Sequence, residues 1–363
     1  STQGAQMGFT LSPRQFNDCY IPYVQKWNAT VTPDHCYDAI DPIGKKAHDL
    51  TLNTFMDDIT KTTVYGNGAP ADEIEQQLNG NTEALSETIG EGGWALNPGK
   101  TNHLLVLLGH GKVAATRALR NSKSLLGTAM RDMRVLGPYL PSDQGLKGEI
   151  ARRIDAMKQA FRMCGNFWSS STPPTLKKLI FQAFVTGAAW SGLTAFVLPE
   201  ALTNILDAQL GKLLRRASKG NMSWTREDGS VRCNTTSAVF NCWKIEKSAA
   251  ALRIRRLKWY QQWARYPQDH GAVLAAVLGT TVGEQSRGIC RLRAGKWICD
   301  KWSTPMALQL REDLRALSAV CADMAGWYEC RNSDLDMFIP GTDDWKQWTA
   351  LDTSILRSTL GSE

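Results

Sequence analysis

From Ile150 onward, apolar residues recur at the spacing of an α-helix, and this periodicity constrains the fold more than any other feature of the sequence. Five apolar residues between Ile150 and Cys164 follow one another at intervals of 4, 3, 4 and 3, which places them on one helical face. Similar amphipathic stretches begin near Pro173 and Leu202. We therefore predict three helices of a bundle, joined by short loops, over residues 141–220.

Residues 1–140 mix helical and strand signals. Ser12 and Pro13 are typical of a helix start, and apolar residues at helical spacing continue to Trp27. A second amphipathic helix is predicted over residues 71–90. Together with the strand signals between and after these helices, the pattern predicts an α+β fold with helices on one face of an antiparallel sheet.

The strand signals lie on both sides of the second helix. Residues 50–65 alternate, with β-branched residues after Asp57-Asp58, and we interpret them as a β-hairpin with this pair at its bend. The run Leu104 to Leu108 is apolar at every position and is predicted to be a central strand of the same sheet.

Composition narrows the class of protein. With 43% hydrophobic and 21% charged residues, the chain of 363 residues can bury a sizeable core. Its apolar runs are shorter than the roughly 20 residues that a bilayer crossing needs, so we expect no membrane span. The nine cysteines show no dense spacing, and we expect mostly reduced thiols in an intracellular protein. Zinc at the separated cysteine pairs near the carboxyl end is a minor alternative.

Charge is divided unevenly along the chain. Residues 1–100 contain 6 Lys and Arg against 13 Asp and Glu, whereas the remaining 263 contain 36 against 22. An acidic front joined to a basic back suits a metal site beside a polyanion channel. Solvated surface of mixed sign is an equally good interpretation of charge alone.

The adjacent carboxylates Asp57 and Asp58 are candidate metal ligands. Hard divalent cations such as Mg²⁺ prefer oxygen ligands, and two ions can clamp the attacking and leaving oxygens of phosphoryl transfer. Asp-Asp is also ordinary turn chemistry, and the second pair, Asp343-Asp344, is typical of a plain turn or helix cap. The hydrophobic strand before Asp57 and the β-branched strand after Asp58 distinguish the first pair.

Four motifs in order resemble those of reverse transcriptases, and the nearest resemblance is to the non-LTR retrotransposon group. They are Gly8-Phe9-Thr10-Leu11-Ser12-Pro13, Phe55-Met56-Asp57-Asp58, Trp94-Ala95-Leu96-Asn97-Pro98-Gly99-Lys100-Thr101 and Val135-Leu136-Gly137-Pro138-Tyr139-Leu140. The likeness covers roughly residues 5–265. It implies a partial polymerase palm over residues 1–140, a helical thumb over 141–220 and a basic, Trp-rich extension over 221–363.

The resemblance also implies an activity and its partners. The activity would be RNA-directed DNA polymerisation, which is nucleotidyl transfer from deoxynucleoside triphosphates to a primer 3′ end with Mg²⁺ as cofactor. The partners would be an RNA template and a DNA primer, and we expect a nuclear location. A catalytically inactive remnant that only binds nucleic acid is the first alternative. An unrelated α+β scaffold with a chance Asp-Asp turn is the second, and it predicts a packed or capped Asp57.

Residue roles follow from the same resemblance. Asp57 would bind metal with Asp58 beside it, and Lys100 would approach the pyrophosphate leaving group. Gly137 would belong to the primer grip. The nucleotide and the template base would be lined by Gly8, Ser12 and Pro13 of the first motif and by Phe55, two positions before Asp57. Each alone also has an ordinary structural interpretation, such as a solvated Lys100 after a Pro-Gly turn.

Two positions depart from the family pattern. The first metal-binding aspartate of the family lies upstream of the Gly8 motif, and no residue here obviously replaces it, so we expect the chain as given to be inactive by itself. The family usually has Gln before the motif glycine, whereas this chain has Met7, with Gln6 one position earlier. Strand binding or nucleotide choice would be affected there.

Two basic regions are candidate nucleic-acid contacts. Residues 112–162 hold 11 Lys and Arg against 4 Asp and Glu, and residues 244–265 hold 7 against 1. Cations beside Trp and Tyr suit phosphates and stacked bases. The alternative is an amphipathic helix with Leu252, Trp259 and Trp263 in the core and solvated arginines. The candidate contacts are Arg152, Arg153, Arg253, Arg255, Arg256 and Lys258.

Overall fold

The structure is a computed structural model of the whole chain. The residues it describes are 12–31, 37–41, 43–55, 58–65, 68–107, 110–135, 138–142, 145–218, 222–225, 227–229, 231–281, 291–293, 296–298, 305–321 and 336–360. Within them, helices predominate and the strands are short. The predicted α+β class is confirmed.

The front of the chain, residues 12–141, alternates helices with short strands. Its helices are α1 (Ser12–Thr30), α2 (Ala71–Glu91) and α3 (Lys112–Asn121). Its strands are β1 (Asp38–Ile40), β2 (Ala47–Asp49), β3 (Leu52–Phe55), β4 (Asp58–Lys61), β5 (Asn102–Leu104), β6 (Thr128–Met130), β7 (Asp132–Arg134) and β8 (Tyr139–Pro141). The first two helices lie where the 3.6-residue periodicity predicted them.

The remainder is mainly helical, and the three predicted helices of the bundle are present. Its helices are α4 (Lys147–Met163), α5 (Pro174–Ile180), α6 (Gly187–Trp190), α7 (Glu200–Ala217), α8 (Thr236–Trp243), α9 (Ser248–Arg265), α10 (Gly271–Leu278), α11 (Pro305–Val320), α12 (Asp343–Ala350) and α13 (Leu356–Leu360). A π-helical turn over Phe181–Thr186 joins α5 to α6. The strands are β9 (Ser223–Thr225), β10 (Val231–Cys233), β11 (Thr280–Thr281), β12 (Arg291–Arg293) and β13 (Lys296–Ile298).

The prediction of one shared antiparallel sheet is wrong for the described strands, which form six small sheets. The largest has the order β11-β1-β2, and each of the others has two strands. Among these described strands, only β5 and β6 pair in parallel. The run Leu104 to Leu108 is not a central strand, since β5 ends at Leu104 and Leu105 to Leu107 are irregular.

Two small hydrophobic clusters hold the front together. One contains Tyr20, Val24 and Trp27 of α1 with Leu85 and Ile89 of α2. The other joins α2, α3 and the irregular chain after β5 through Ile74, Leu119 and Leu105. α2 therefore packs against elements on two sides.

Two larger clusters organise the helical remainder, and α9 belongs to both. The first surrounds α4, α7 and the π-helical turn, and it includes Leu252 near the start of α9. The second surrounds α10, α11 and α12, and it includes Leu257 and Tyr260 further along α9. A helix shared between two cores ties the predicted bundle to the extension that follows it.

The C-terminal extension also contacts the front of the chain. β11 pairs with β1, and Ile43 in the β1–β2 loop packs against the second large cluster. None of the described helices is long and apolar enough to span a bilayer.

Candidate functional site

The acidic hairpin consists of β3 and β4. Phe55 and Asp58 are register partners, and two residues separate them in the sequence. Asp58 is the first residue of β4 rather than part of the bend, and it is exposed. Asp57 lies outside the described residues, as do Gly8 and Gly137 among the predicted site residues.

The hairpin rests on the first two helices. Leu52 and Ile59 pack against the cluster of α1 and α2. At the far end of β4, the Lys61 ammonium lies 4.9 Å from the centre of the Trp27 ring and 3.4 Å from Asn81 Oδ1. Trp27 Nε1 in turn donates to the Asn81 carbonyl at 3.0 Å. These contacts fix the base of the hairpin and leave Asp58 at its exposed end.

The segment with Lys100 packs on the same cluster. Trp94 meets the rings of Tyr20 and Tyr23 edge-on, with centroid distances of 5.3 and 5.2 Å, and Leu96 packs against the cluster. The chain then makes a 3₁₀ turn over Pro98–Lys100, in which Lys100 is exposed. Its ammonium is therefore accessible to an anionic ligand.

α1 begins at the predicted residues Ser12 and Pro13. Three of the four segments that carry the resemblance thus meet at one cluster: the helix after the first motif, the acidic hairpin and the Trp94 segment. The fourth segment follows β7 in the chain and supplies Tyr139 and Leu140 of β8, which pairs with β7; β7 in turn contacts β5, just after the Lys100 turn.

A buried carboxylate joins this fourth segment to the helical bundle. Glu149 in α4 is 1% exposed and accepts a hydrogen bond from the Tyr139 backbone at 3.1 Å. It also pairs with Arg153, whose side chain is 12% exposed. Arg152 bonds Asp132 at 2.8 Å and lies 4.0 Å above the Tyr139 ring. Arg152 thus holds α4 against β7 and β8 and remains partly open to solvent, whereas Arg153 pairs with Glu149 within α4.

The arginines of α9 do not form the predicted solvent-facing row. Arg256 is 5% exposed and makes two hydrogen bonds to Asp313 at 2.6 and 2.9 Å. Arg253 lies 3.7 Å from the same carboxylate. Burial raises the pKa of Asp313, and the hydrogen bond and charge of Arg256 oppose that rise. We correct the assignment of Arg256 as a nucleic-acid contact, because its guanidinium is enclosed by α9 and α11.

The other two predicted contacts of α9 differ from each other. The Arg255 guanidinium lies 5.2 Å from the Trp190 ring centre. Burial lowers the pKa of Arg255, and the charge of Arg357 lowers it further. Lys258 is exposed beside Trp259, which is 44% exposed, whereas Trp263 is buried. Neither sequence interpretation of this helix is therefore correct in full.

The other basic region keeps most of its cations at the surface. Lys112 and Arg117 of α3 are exposed, as is Lys123 just after it. Further along, Arg131, Arg134, Lys147 and Arg162 are exposed as well. The side chains of this region are therefore accessible to phosphates.

Of the two predicted metal ligands, Asp58 is the one that lies within the described residues. Asp58 offers one exposed carboxylate, which fits a hard cation such as Mg²⁺. Within the described ranges, no group of three or more His, Cys, Asp or Glu side chains is arranged to hold a metal ion. Among the described cysteines, Cys19, Cys164, Cys233, Cys242 and Cys321 are free thiols.

Comparison with known proteins gave no match. Neither a scan of protein families, nor a search of curated proteins, nor a search of solved structures found a significant similarity.

The sequence interpretation missed three residues that organise the site. Glu149 had a local signal, because a Glu four residues before an Arg on a helix commonly forms an ion pair. Asp313 had no signal for its pairing with Arg256, 57 positions away, and Thr51 had none for the Tyr37 backbone N–H, which donates to its Oγ1 at 2.8 Å.

Proposed function

We propose that the chain is part of the RNA-directed DNA polymerase of a non-LTR retrotransposon. It would catalyse nucleotidyl transfer from deoxynucleoside triphosphates to a primer 3′ end, with RNA as template. Supporting this is the convergence of α1, the acidic hairpin and the Trp94 segment on one hydrophobic cluster. That packing brings the hairpin with Asp58 and the segment with Lys100 to the same cluster. A chance Asp-Asp turn on an unrelated scaffold would not require this arrangement.

In this proposal residues 1–140 correspond to a partial palm, whose described strands form separate small sheets, and residues 141–220 to the thumb. Asp57 and Asp58 would hold Mg²⁺, which when bound supplies positive charge at the reacting phosphate. The exposed Lys100 would stabilise negative charge that develops on the pyrophosphate leaving group. The β7–β8 hairpin, braced by Glu149, would orient the primer strand.

Primer extension on an RNA template tests the proposal. The protein to use is the full open reading frame, which includes the family's upstream aspartate if the frame encodes it. We expect Asp57→Ala to abolish extension, and Asp58→Asn to reduce it by about 10² or more, since each removes a ligand or its supporting charge. The matched control is Asp343→Ala, because Asp343-Asp344 is the same dipeptide on the exposed first turn of α12.

Full activity in Asp57→Ala would contradict the metal-site assignment. The second candidate is an inactive remnant that only binds nucleic acid, and the exposed cations of residues 112–162 favour it to the same degree. Salt-sensitive duplex binding without any primer extension by the unaltered protein would establish the remnant instead of the polymerase.

A further inference from the structure

The C-terminal extension contacts the front of the chain through β1 and β2. β11 forms an antiparallel pair with β1, in which Thr281 lies opposite Ala39 and Thr280 opposite Ile40. α10, immediately before β11, packs against both β1 and β2. This contact joins residues that are more than 200 positions apart in the sequence.

Two glycines allow α10 to approach these strands closely. A Cβ atom on Gly279 would lie 2.3 Å from the carbonyl oxygens of Ile40 and Ala275. A Cβ atom on Gly271 would lie 2.9 Å from the His48 ring. Because backbone cannot give way as a flexible side chain does, any side chain at Gly279 must separate α10 from β1.

Thr51 connects the other end of β1 and β2 to the acidic hairpin. Its Oγ1 accepts a hydrogen bond from the Tyr37 backbone, just before β1, at 2.8 Å. Its carbonyl accepts from the backbone of Thr62, just after β4, at 2.7 Å. Thr51 is 2% exposed, so water cannot replace these partners. One buried residue therefore links the bases of the two hairpins.

We propose that Thr51 is a positioning residue through which residues 271–281 hold the acidic hairpin in place. The path runs from the glycine-lined contact of α10 to β1 and β2, then through Thr51 to β3 and β4. The role of the positioned hairpin in nucleotidyl transfer rests on the proposed function. The structural link between α10 and the hairpin does not depend on that function.

Amide hydrogen exchange of the full chain tests the link from the α10 side. We expect Gly279→Ala to accelerate exchange in β1, β2, β3 and β4, and to leave α4 and α7 unchanged. The matched control is Gly80→Ala, at an exposed position of α2 where an added Cβ meets nothing within 4 Å. Faster exchange confined to α10, β1 and β2 would overturn the proposal, because a purely local packing role predicts that pattern.

Substitutions of Thr51 test the same link without altering α10. Thr51→Val keeps the size of the side chain but removes the acceptor for the Tyr37 N–H, and we expect exchange in β3 and β4 to rise about tenfold. Thr51→Ser keeps the hydroxyl and should restore exchange close to that of the unaltered chain. Equal effects of Val and Ser would contradict a role for the hydroxyl.

The double variant separates a linked path from two independent defects. If the effect of Gly279 reaches β3 and β4 through Thr51, then Gly279→Ala should add little in the Thr51→Val background. Full additivity would overturn the proposal. These readouts do not depend on polymerisation, so a failure of primer extension and a failure of this link can be told apart.

Discussion

Asp207 lies beneath the first turn of α9 and is 7% exposed. Its Oδ1 accepts a hydrogen bond from the Ser248 backbone at 2.8 Å, and Ser248 Oγ accepts from Trp190 Nε1 at 3.0 Å. Burial raises the pKa of Asp207, and the two hydrogen bonds from Ser248 and the charge of Lys247 oppose that rise. The carboxylate therefore caps the first turn of α9, and its burial there removes it from water.

The raised pKa predicts a specific pH dependence. A carboxyl whose pKa is higher in the folded than in the unfolded state lowers the free energy of unfolding while it is ionised. This penalty is lost as pH falls through the folded-state pKa toward about 3.9, the pKa of an unperturbed Asp. Asp207→Asn keeps an acceptor for Ser248 but carries no charge. We therefore expect Asp207→Asn to increase the free energy of unfolding most at high pH. This gain over the unaltered chain should shrink as the pH falls.

Urea unfolding from pH 8 down to about pH 4, close to the pKa of an unperturbed Asp, measures this difference. Asp207→Ala is the matched control: it removes the same charge, so its difference from the unaltered chain should show the same pH dependence, but it leaves the Ser248 N–H unpaired and should be about 1–3 kcal/mol less stable than Asp207→Asn at every pH. A difference between Asp207→Asn and the unaltered chain that is constant with pH would contradict the prediction.

The two basic helices α9 and α3 differ in how far their cationic side chains are exposed. α9 is buried along most of its length, and its arginines meet Asp313 and Trp190. α3 contributes Leu119 to a small cluster and leaves its cations exposed. We therefore expect the electrostatic part of nucleic-acid binding to come from the α3 region more than from α9.

Replacing Lys112, Arg117 and Lys123 together by Gln tests this expectation. Binding to an RNA–DNA duplex should weaken, and the slope of log K against log salt should fall by about 0.7–0.9 for each phosphate that the variant no longer neutralises. Fluorescence anisotropy over a series of salt concentrations gives both quantities. Arg315→Gln, at an exposed arginine of α11, is the control. An unchanged salt slope in the triple variant would place the binding surface elsewhere.

At the scale of the whole molecule, α9 contributes side chains to both large hydrophobic clusters. Its first turns belong to the cluster around α7, and its last turns belong to the cluster around α11. Gln261 adds hydrogen bonds to the carbonyls of Trp348 and Leu351 at 2.9 and 2.6 Å. Neither cluster can separate from α9 without exposing its own apolar side chains and those that it covers on this helix.

We expect this sharing to produce a single unfolding transition for the helical region. Leu206→Ala in α7 and Leu314→Ala in α11 both truncate fully buried side chains, and each should cost about 2–5 kcal/mol. Differential scanning calorimetry should show that both substitutions lower the same transition. Two separate transitions, each responding to one substitution, would show that α9 does not couple the clusters.

Local patterns were enough to locate several long helices and the acidic hairpin. The helices α1, α2, α4 and α7 follow from apolar residues at helical spacing, and the hairpin follows from alternation around a turn. These signals are readable because each depends on residues a few positions apart. The α+β class could be predicted for the same reason.

Long-range packing decided the rest. Arg256 and Asp313 are 57 residues apart, and nothing near either residue indicates that they will meet. The division of the strands into separate sheets, the bracing of Tyr139 by Glu149 and the pairing of β1 with β11 likewise depend on which surfaces come together. A charged side chain is solvated or buried according to its neighbours in space, and a linear pattern records only its neighbours in the chain.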